Sequence, residues 1–231
     1  MLYLNFIKSK LFITFCLVLS IFSMLGVLYF VVITIGGDEG KQYVLDNWSL
    51  FEKFLLNNGF WLFVALAILP GFILPCAPFL FLFGIWGTKY GTGLACAYSV
   101  LALSLNLVWT YWLAHGIGRS FIDKLLKRFK YKIPELPPNN LTQWAIILRL
   151  TPGIPFIFTN YALGLLKIPF SKYLLVSIPI VAITDCGFVL ASAGIFGGSW
   201  KFIWSGVSIL IIMILIGRTV SKKQNNADKS I

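Results

Sequence analysis

The residues from 60 to 88, FWLFVALAILPGFILPCAPFLFLFGIWGT, decide the fold. No charged residue interrupts this stretch, which is long enough to cross a bilayer as a helix. Its middle contains Pro70, Gly71, Pro75 and Pro78, and proline removes a backbone donor and breaks a helix. We therefore predict a re-entrant helical hairpin at 60–88, which enters and leaves the membrane on the same side.

A second broken stretch lies at 141–166, LTQWAIILRLTPGIPFIFTNYALGLL. It is apolar except for one arginine, and Pro152, Gly153 and Pro155 interrupt it near its middle. Irregular backbone at membrane depth is tolerated only where protein or a wet cavity surrounds it. We therefore predict a second re-entrant hairpin, which faces the first.

The spacing of these breaks indicates an internal repeat. Pro70 and Pro152 are 82 residues apart, and Gly84 and Gly164, each near the end of its hairpin, are 80 apart. Each hairpin precedes a long apolar run. Two hairpins that enter from opposite faces form an inverted repeat, the architecture in which broken helices of transporters meet near the midplane.

Composition supports a membrane protein. The chain has 231 residues, of which 58% are hydrophobic and 12% charged, and its mean hydropathy is +0.86. Soluble domains carry about 25% charged residues, so a soluble, fibrous or disordered chain is excluded. The net charge of +11 comes from basic residues at the ends of apolar runs, which favours anionic lipid over nucleic acid as the partner.

We predict an all-α membrane protein with about four transmembrane helices in addition to the two hairpins. The hairpins and the neighbouring elements from 60 to 197 form one domain. Its other elements are a transmembrane helix at 90–118, a basic amphipathic helix at 119–132 and a transmembrane helix at 173–196. Outside it lie an N-terminal transmembrane helix at 1–36, an interfacial segment at 37–59, a C-terminal transmembrane helix at 200–217 and a basic tail at 218–231.

The distribution of lysine and arginine predicts the topology, because these residues mark the cytoplasmic side. Lys8, Lys10 and the stretch at 119–132 are then cytoplasmic, and the acidic stretch at 37–59 is outside. Four full crossings satisfy these assignments only if the two hairpins do not cross. Both termini are predicted to be cytoplasmic, and we expect a bacterial cell membrane.

Arg149 is the candidate binding residue. A charge in hydrocarbon costs about 2.5–3.5 kcal/mol on insertion scales, so such residues are usually functional. A new half-helix is expected near Pro155, and exposed N–H groups at a helix start favour an anion. Arg149 beside this helix start could hold a phosphate in a bidentate manner. The alternative is that Arg149 only snorkels to the interface or pairs structurally.

Asp185 lies in the middle of the next transmembrane run. It could pair with Arg149 or relay a proton, or it could be a neutral acid bonded to a neighbouring helix. Thr151 and Asn160 add polar groups to the second hairpin and complete the predicted substrate site. One histidine and no clustered acids leave too few groups for an enzyme, a metal site or a cofactor.

The motif Leu148–Gly153 (LRLTPG), followed by Asn160–Gly164 (NYALG), resembles the VTT-domain family, also called SNARE-associated Golgi proteins, which includes the bacterial DedA proteins. The first hairpin and Ala114–Arg119 (AHGIGR) look like the family's first half, and the resemblance covers about 60–197. Arg149 matches the family's hairpin arginine. The apolar residues at 66–69 replace an acidic residue of DedA members, so the chain looks closer to the Golgi and bacterial VTT branch.

The resemblance implies two facing re-entrant loops and movement of a phospholipid or polyprenyl phosphate between leaflets, which some members couple to protons. A lipid flippase or scramblase is therefore the leading hypothesis. The alternatives are a proton- or ion-coupled transporter of small solutes and a non-transporting assembly or scaffold protein that docks through the helix at 119–132. That helix is also expected to bind anionic lipid, and a homo-oligomer is left open.

Overall fold

The computed structural model describes residues 36–72, 74–116, 141–151 and 154–227, together with Thr34, Ser120 and Lys124. Throughout these residues the regular structure is helical, and none of them forms a strand. The predicted N-terminal transmembrane helix at 1–36 and the basic helix at 119–132 lie outside the described residues, apart from Thr34, Gly36, Ser120 and Lys124. Pro152 and Gly153 also lie outside them.

The chain divides into two compact units, Met1–Asn57 and Asn58–Ile231. The described part of the first unit is helix α1, Gly36–Asn57. Within α1, Gln42 donates a side-chain hydrogen bond to Asp46 at 3.1 Å, one turn further along. The predicted interfacial segment thus contains a helix, while its position at a membrane surface stays a prediction.

The second unit contains the remaining helices. In chain order they are α2 (Gly59–Ile68) with the 3-10 turn Leu69–Phe72, α3 (Ala77–Tyr90), α4 (Thr92–His115), α5 (Leu141–Leu150), α6 (Phe156–Leu165), α7 (Phe170–Gly197) and α8 (Trp200–Ala227). The prolines explain both breaks. Pro70 lies in the 3-10 turn, Pro78 stands in the first turn of α3, and Pro155 immediately precedes α6.

Three helices are long and apolar enough to cross a membrane: Thr92–His115, Phe170–Gly197 and Trp200–Val220. They correspond to the predicted spans at 90–118, 173–196 and 200–217. The last helix does not end at Gly217, where the predicted tail begins, but continues to Ala227. Lysine and glutamine are good helix formers, so the end of the apolar run did not mark the end of the helix.

The two halves of the second unit have the same order of elements: a short helix, a break, a short helix and a long helix. The second short helix of each half packs on the long helix of the other half, α3 on α7 and α6 on α4. Gly84 of α3 approaches Ser192 and Ala193 so closely that an added Cβ would overlap them. Gly164 of α6 approaches Ala114 and the carbonyl oxygen of Tyr111 in the same way.

Candidate functional site

Arg149 occupies the last turn of α5, immediately before the second break. Both α6 and α7 contribute side chains that contact this residue. The guanidinium donates four hydrogen bonds. Nε donates to the Ser177 hydroxyl at 3.0 Å, and Nη2 donates to the Tyr173 hydroxyl at 3.2 Å. Nη1 donates both to the Thr159 hydroxyl at 2.9 Å and to Asn160 Oδ1 at 2.6 Å.

These acceptors are held by the backbone so that their lone pairs face Arg149. The Thr159 hydroxyl donates its own proton to the Phe156 carbonyl at 2.7 Å. The Tyr173 hydroxyl donates to the Leu107 carbonyl at 3.2 Å, which also fixes α7 on α4. The rings of Phe156 and Tyr173 each lie 5.5 Å from the guanidinium carbon and contribute cation–π attraction.

The guanidinium is thus surrounded by neutral oxygens. Among the residues that the structure describes, no carboxylate is paired with Arg149, although a buried charge usually has such a partner. A guanidinium has five N–H donors, and four bonds leave one of them for a ligand. The arrangement replaces the hydration of the cation without neutralising its charge, so the site can attract an anion.

A ladder of buried amides connects this site to the end of α2, just before the first break. Asn160 Nδ2 donates to Asn106 Oδ1 at 3.3 Å and to the Thr110 hydroxyl at 3.1 Å. Asn106 Nδ2 in turn donates to the Ala67 carbonyl at 2.9 Å, near the end of α2. The side chains of Asn106, Thr110 and Asn160 are completely buried, so each bond is shielded from competing water.

Asp185 lies apart from Arg149. It is 1% exposed, and neither carboxyl oxygen has a hydrogen-bond partner. It follows Ser177 by eight residues on α7, a rise of about 12 Å at 1.5 Å per residue. The Arg149–Asp185 pair that the sequence suggested therefore does not form. Ser99 lies beside the carboxyl group, but its hydroxyl donates to the Cys96 carbonyl at 3.1 Å.

The other predicted site residues are placed as follows. Asn160 contacts Arg149, whereas the Thr151 hydroxyl donates to the Ile147 carbonyl of its own helix at 2.6 Å. Tyr173 and Ser177 contact Arg149 but were not predicted. They are spaced by four residues, as are Asn106 and Thr110, and polar pairs at this spacing on an apolar span mark one buried helix face. That signal could have identified them.

No metal centre is found in the described part of the chain, where no three side chains of His, Cys, Asp or Glu converge closely enough to hold an ion. His115 stacks on Tyr111 with 5.3 Å between ring centroids, and its buried Nδ1 has no partner. Within the described residues of the second unit, Arg149 is thus the only strongly charged group that hydrogen-bonding side chains surround.

Comparisons with known proteins agree with the sequence motif. The family model of the VTT domain matches residues 74–184, which include the end of the first break, α3 to α6 and the first half of α7. The chain is 27% identical over 157 residues to the Transmembrane protein 41 homolog of Dictyostelium discoideum. This alignment covers 67% of the chain but 44% of the relative, so the chain spans less than half of that protein. No solved structure matches the chain significantly.

Proposed function

The chain belongs to the VTT-domain family of membrane proteins, and from this premise we propose that it is a flippase or scramblase, which moves a phosphate-bearing lipid between leaflets. The substrate would be a phospholipid or a polyprenyl phosphate. Its headgroup would pass between the two hairpins, while its tails remain in the bilayer. Arg149, with Asn160 and the start of α6, would replace the hydration of the headgroup during passage.

A single observation carries this proposal: four neutral acceptors surround the Arg149 guanidinium, and no carboxylate pairs with it in the described part of the chain. Because the geometry of a guanidinium matches that of a phosphate, an entering phosphate can form charge-assisted hydrogen bonds with it. The start of α6 lies after Pro155, within the same break, and its free N–H groups favour negative charge.

The membrane arrangement is part of the proposal. We infer that both breaks are re-entrant and that the halves form an inverted repeat, since Gly84 and Gly164 make equivalent close contacts 80 residues apart. The inferred topology keeps both termini in the cytoplasm of a bacterial cell, with anionic lipid bound at 119–132. Association into a homo-oligomer would be compatible with this arrangement.

The test is lipid exchange in reconstituted vesicles. We would reconstitute the purified protein in phosphatidylcholine vesicles that contain a trace of fluorescent phosphatidylglycerol and measure the fraction that an external quencher reaches. Arg149→Ala should slow exchange about tenfold or more, because a charge-assisted hydrogen bond to an ionic ligand is lost. Arg149→Lys should be intermediate, since lysine keeps the charge but not the planar five-donor geometry of the guanidinium.

The matched control is Arg218→Ala, which removes an exposed arginine near the end of the apolar part of α8, Trp200–Val220. This variant should exchange lipid at the wild-type rate. Size-exclusion profiles and thermal unfolding in detergent would verify that each variant is folded. Equal exchange by the wild type and a folded Arg149→Ala variant would exclude the proposed site.

A proton- or ion-coupled solute transporter is the second candidate, and the observation that favours it is Asp185. A buried carboxyl group with both oxygens unpartnered is available to exchange a proton or a cation. A vesicle-trapped pH indicator would detect the coupled flux. A flux that Asp185→Asn abolishes, in vesicles that show no lipid exchange, would support this candidate over the first.

A further inference from the structure

The buried amide ladder between the two hairpins has a direction. At one end the Ala67 carbonyl can only accept, so Asn106 must turn its Nδ2 toward it and its Oδ1 toward Asn160. At the other end Arg149 can only donate, so Asn160 must turn its Oδ1 toward the guanidinium and its Nδ2 toward Asn106. Both ends therefore impose the same orientation on the two amides.

We propose that Asn106 is a positioning residue for anion binding, which holds Asn160 Oδ1 on Arg149 and connects the first break to the Arg149 site. This inference rests on the proposed function, because it assigns a role within the same site. Asn106 never contacts the anion. It sets the orientation of Asn160, which shares Arg149 Nη1 with Thr159.

The mechanism follows from the burial of the ladder. Asn106 and Asn160 are inaccessible to solvent, so an amide that loses its partner cannot exchange that bond for one with water. If the end of α2 moves, the Ala67 carbonyl leaves Asn106, and the ladder loses the acceptor that fixes its direction. Asn160 Nδ2 then keeps only the Thr110 hydroxyl as its acceptor, so Asn160 is held less firmly on the guanidinium. The affinity for an anion then changes with the conformation of the first hairpin.

The structure contains a matched control. Trp109 Nε1 donates to the same Ala67 carbonyl at 2.8 Å but has no bond to Asn160 or Arg149. Asn106→Ala and Trp109→Phe therefore each remove one donor from the same acceptor. Only the first removes a connection to Arg149, so a difference between the two variants reports on that connection.

The experiment measures the exchange of fluorescent phosphatidylglycerol at increasing mole fractions of unlabelled phosphatidylglycerol in phosphatidylcholine vesicles. For Asn106→Ala we expect the mole fraction of phosphatidylglycerol at half-saturation to rise about three- to tenfold, which is the effect of losing one hydrogen bond. The maximal rate of exchange should stay within about twofold of the wild-type rate. Trp109→Phe should leave both parameters at wild-type values. Combined with Arg149→Ala, Asn106→Ala should cause no additional loss.

Each outcome has a separate meaning. Equal effects of Asn106→Ala and Trp109→Phe, or an additional loss when Asn106→Ala is combined with Arg149→Ala, would overturn the positioning role and leave the proposed function intact. Wild-type exchange by Arg149→Ala would overturn the proposed function itself. If Asn106→Ala does not fold, Asn106→Ser serves instead, since its shorter side chain cannot span from Asn160 to the Ala67 carbonyl.

Discussion

The Tyr161 hydroxyl donates a hydrogen bond of 2.5 Å to the carbonyl oxygen of Gly71. Tyr161 belongs to α6, behind the second break, and Gly71 lies in the 3-10 turn of the first break. A Cβ on Gly71 would overlap the indole of Trp109, so only glycine allows the turn to lie this close to α4. The first break is therefore bonded directly to α6, the helix that follows the second break, and this bond forms the junction between the two broken regions.

Tyr161→Phe should weaken the junction between the breaks. The phenylalanine ring fills the same space, so the loss is one buried hydrogen bond and an unpaired carbonyl, about 1–3 kcal/mol. Thermal unfolding in detergent would show the lower stability. Lipid exchange should also change, because the path is proposed to run between the hairpins.

Tyr111→Phe is the control for this variant. It removes a comparable bond of 2.6 Å to the Ile168 carbonyl, away from both breaks. We expect a similar loss of stability with unchanged lipid exchange. If Tyr111→Phe and Tyr161→Phe alter exchange to the same extent, the junction between the breaks has no special role in transport.

Asn160→Asp should inactivate the anion site, although it also replaces the Nδ2 donor to Asn106 and Thr110 with an oxygen. A carboxylate at this position faces Arg149 Nη1, which Asn160 Oδ1 now contacts at 2.6 Å, and forms a buried ion pair. The ion pair neutralises the guanidinium. A phosphate must then displace the introduced carboxylate, which cannot leave because it is part of the chain. Exchange of labelled phosphatidylglycerol should fall by about tenfold or more.

The neutral variant Asn160→Ser separates charge from packing. Serine retains an oxygen at this position but cannot neutralise Arg149. It should exchange lipid faster than Asn160→Asp, even if its thermal stability is lower. Slower exchange by Asn160→Ser would show that the amide contributes mainly through packing.

The sequence was sufficient to predict both breaks and three of the spans, while the predicted span at 1–36 lies outside the described residues apart from Thr34 and Gly36. Pro70 and Pro155 mark positions where a helix cannot continue, and hydropathy identifies α4, α7 and most of α8. Arg149 was identifiable because it is the charge within an apolar hairpin. These features depend on local chemistry, which is readable along the chain.

The partners of Arg149 were harder to predict because they depend on how helices pack. Ser177 and Tyr173 are ordinary residues of an apolar span until α7 is placed beside α5. Asp185 was one possible partner because opposite charges attract, yet it lies two helical turns beyond Ser177. Attraction between two charges does not determine how two helices are aligned along their axes, since apolar packing fixes that alignment.

Asp185→Asn tests whether the carboxyl group takes part in an ion pair. Because neither oxygen accepts a hydrogen bond, the amide should cost little, and removal of a potential buried charge can stabilise the fold. The thermal unfolding temperature should stay the same or rise, and lipid exchange should persist. A strongly destabilised variant would instead reveal an ion pair, since breaking a buried pair costs about 3–5 kcal/mol.

Gly84→Ala and Gly164→Ala test the equivalent contacts of the two halves. An added methyl group at Gly84 would overlap the Ser192 side chain, and one at Gly164 would lie 2.7 Å from the Ala114 Cβ atom. Both helix pairs must then separate, and overpacking of this kind costs about 1–3 kcal/mol. Gly93→Ala is the control, because Gly93 lies in α4 with nothing within 4 Å of an added Cβ.

Alanine is the better helix former, so Gly93→Ala should be neutral or stabilising by up to about 1 kcal/mol. Thermal unfolding of the three variants in one detergent would compare them directly. If the halves are equivalent, Gly84→Ala and Gly164→Ala should lower stability by similar amounts, and the double variant should lose about the sum. A large loss of stability in one glycine variant with none in the other would mean that the two contacts are not equivalent. The spacing between the two glycines would then have arisen without a repeated structure.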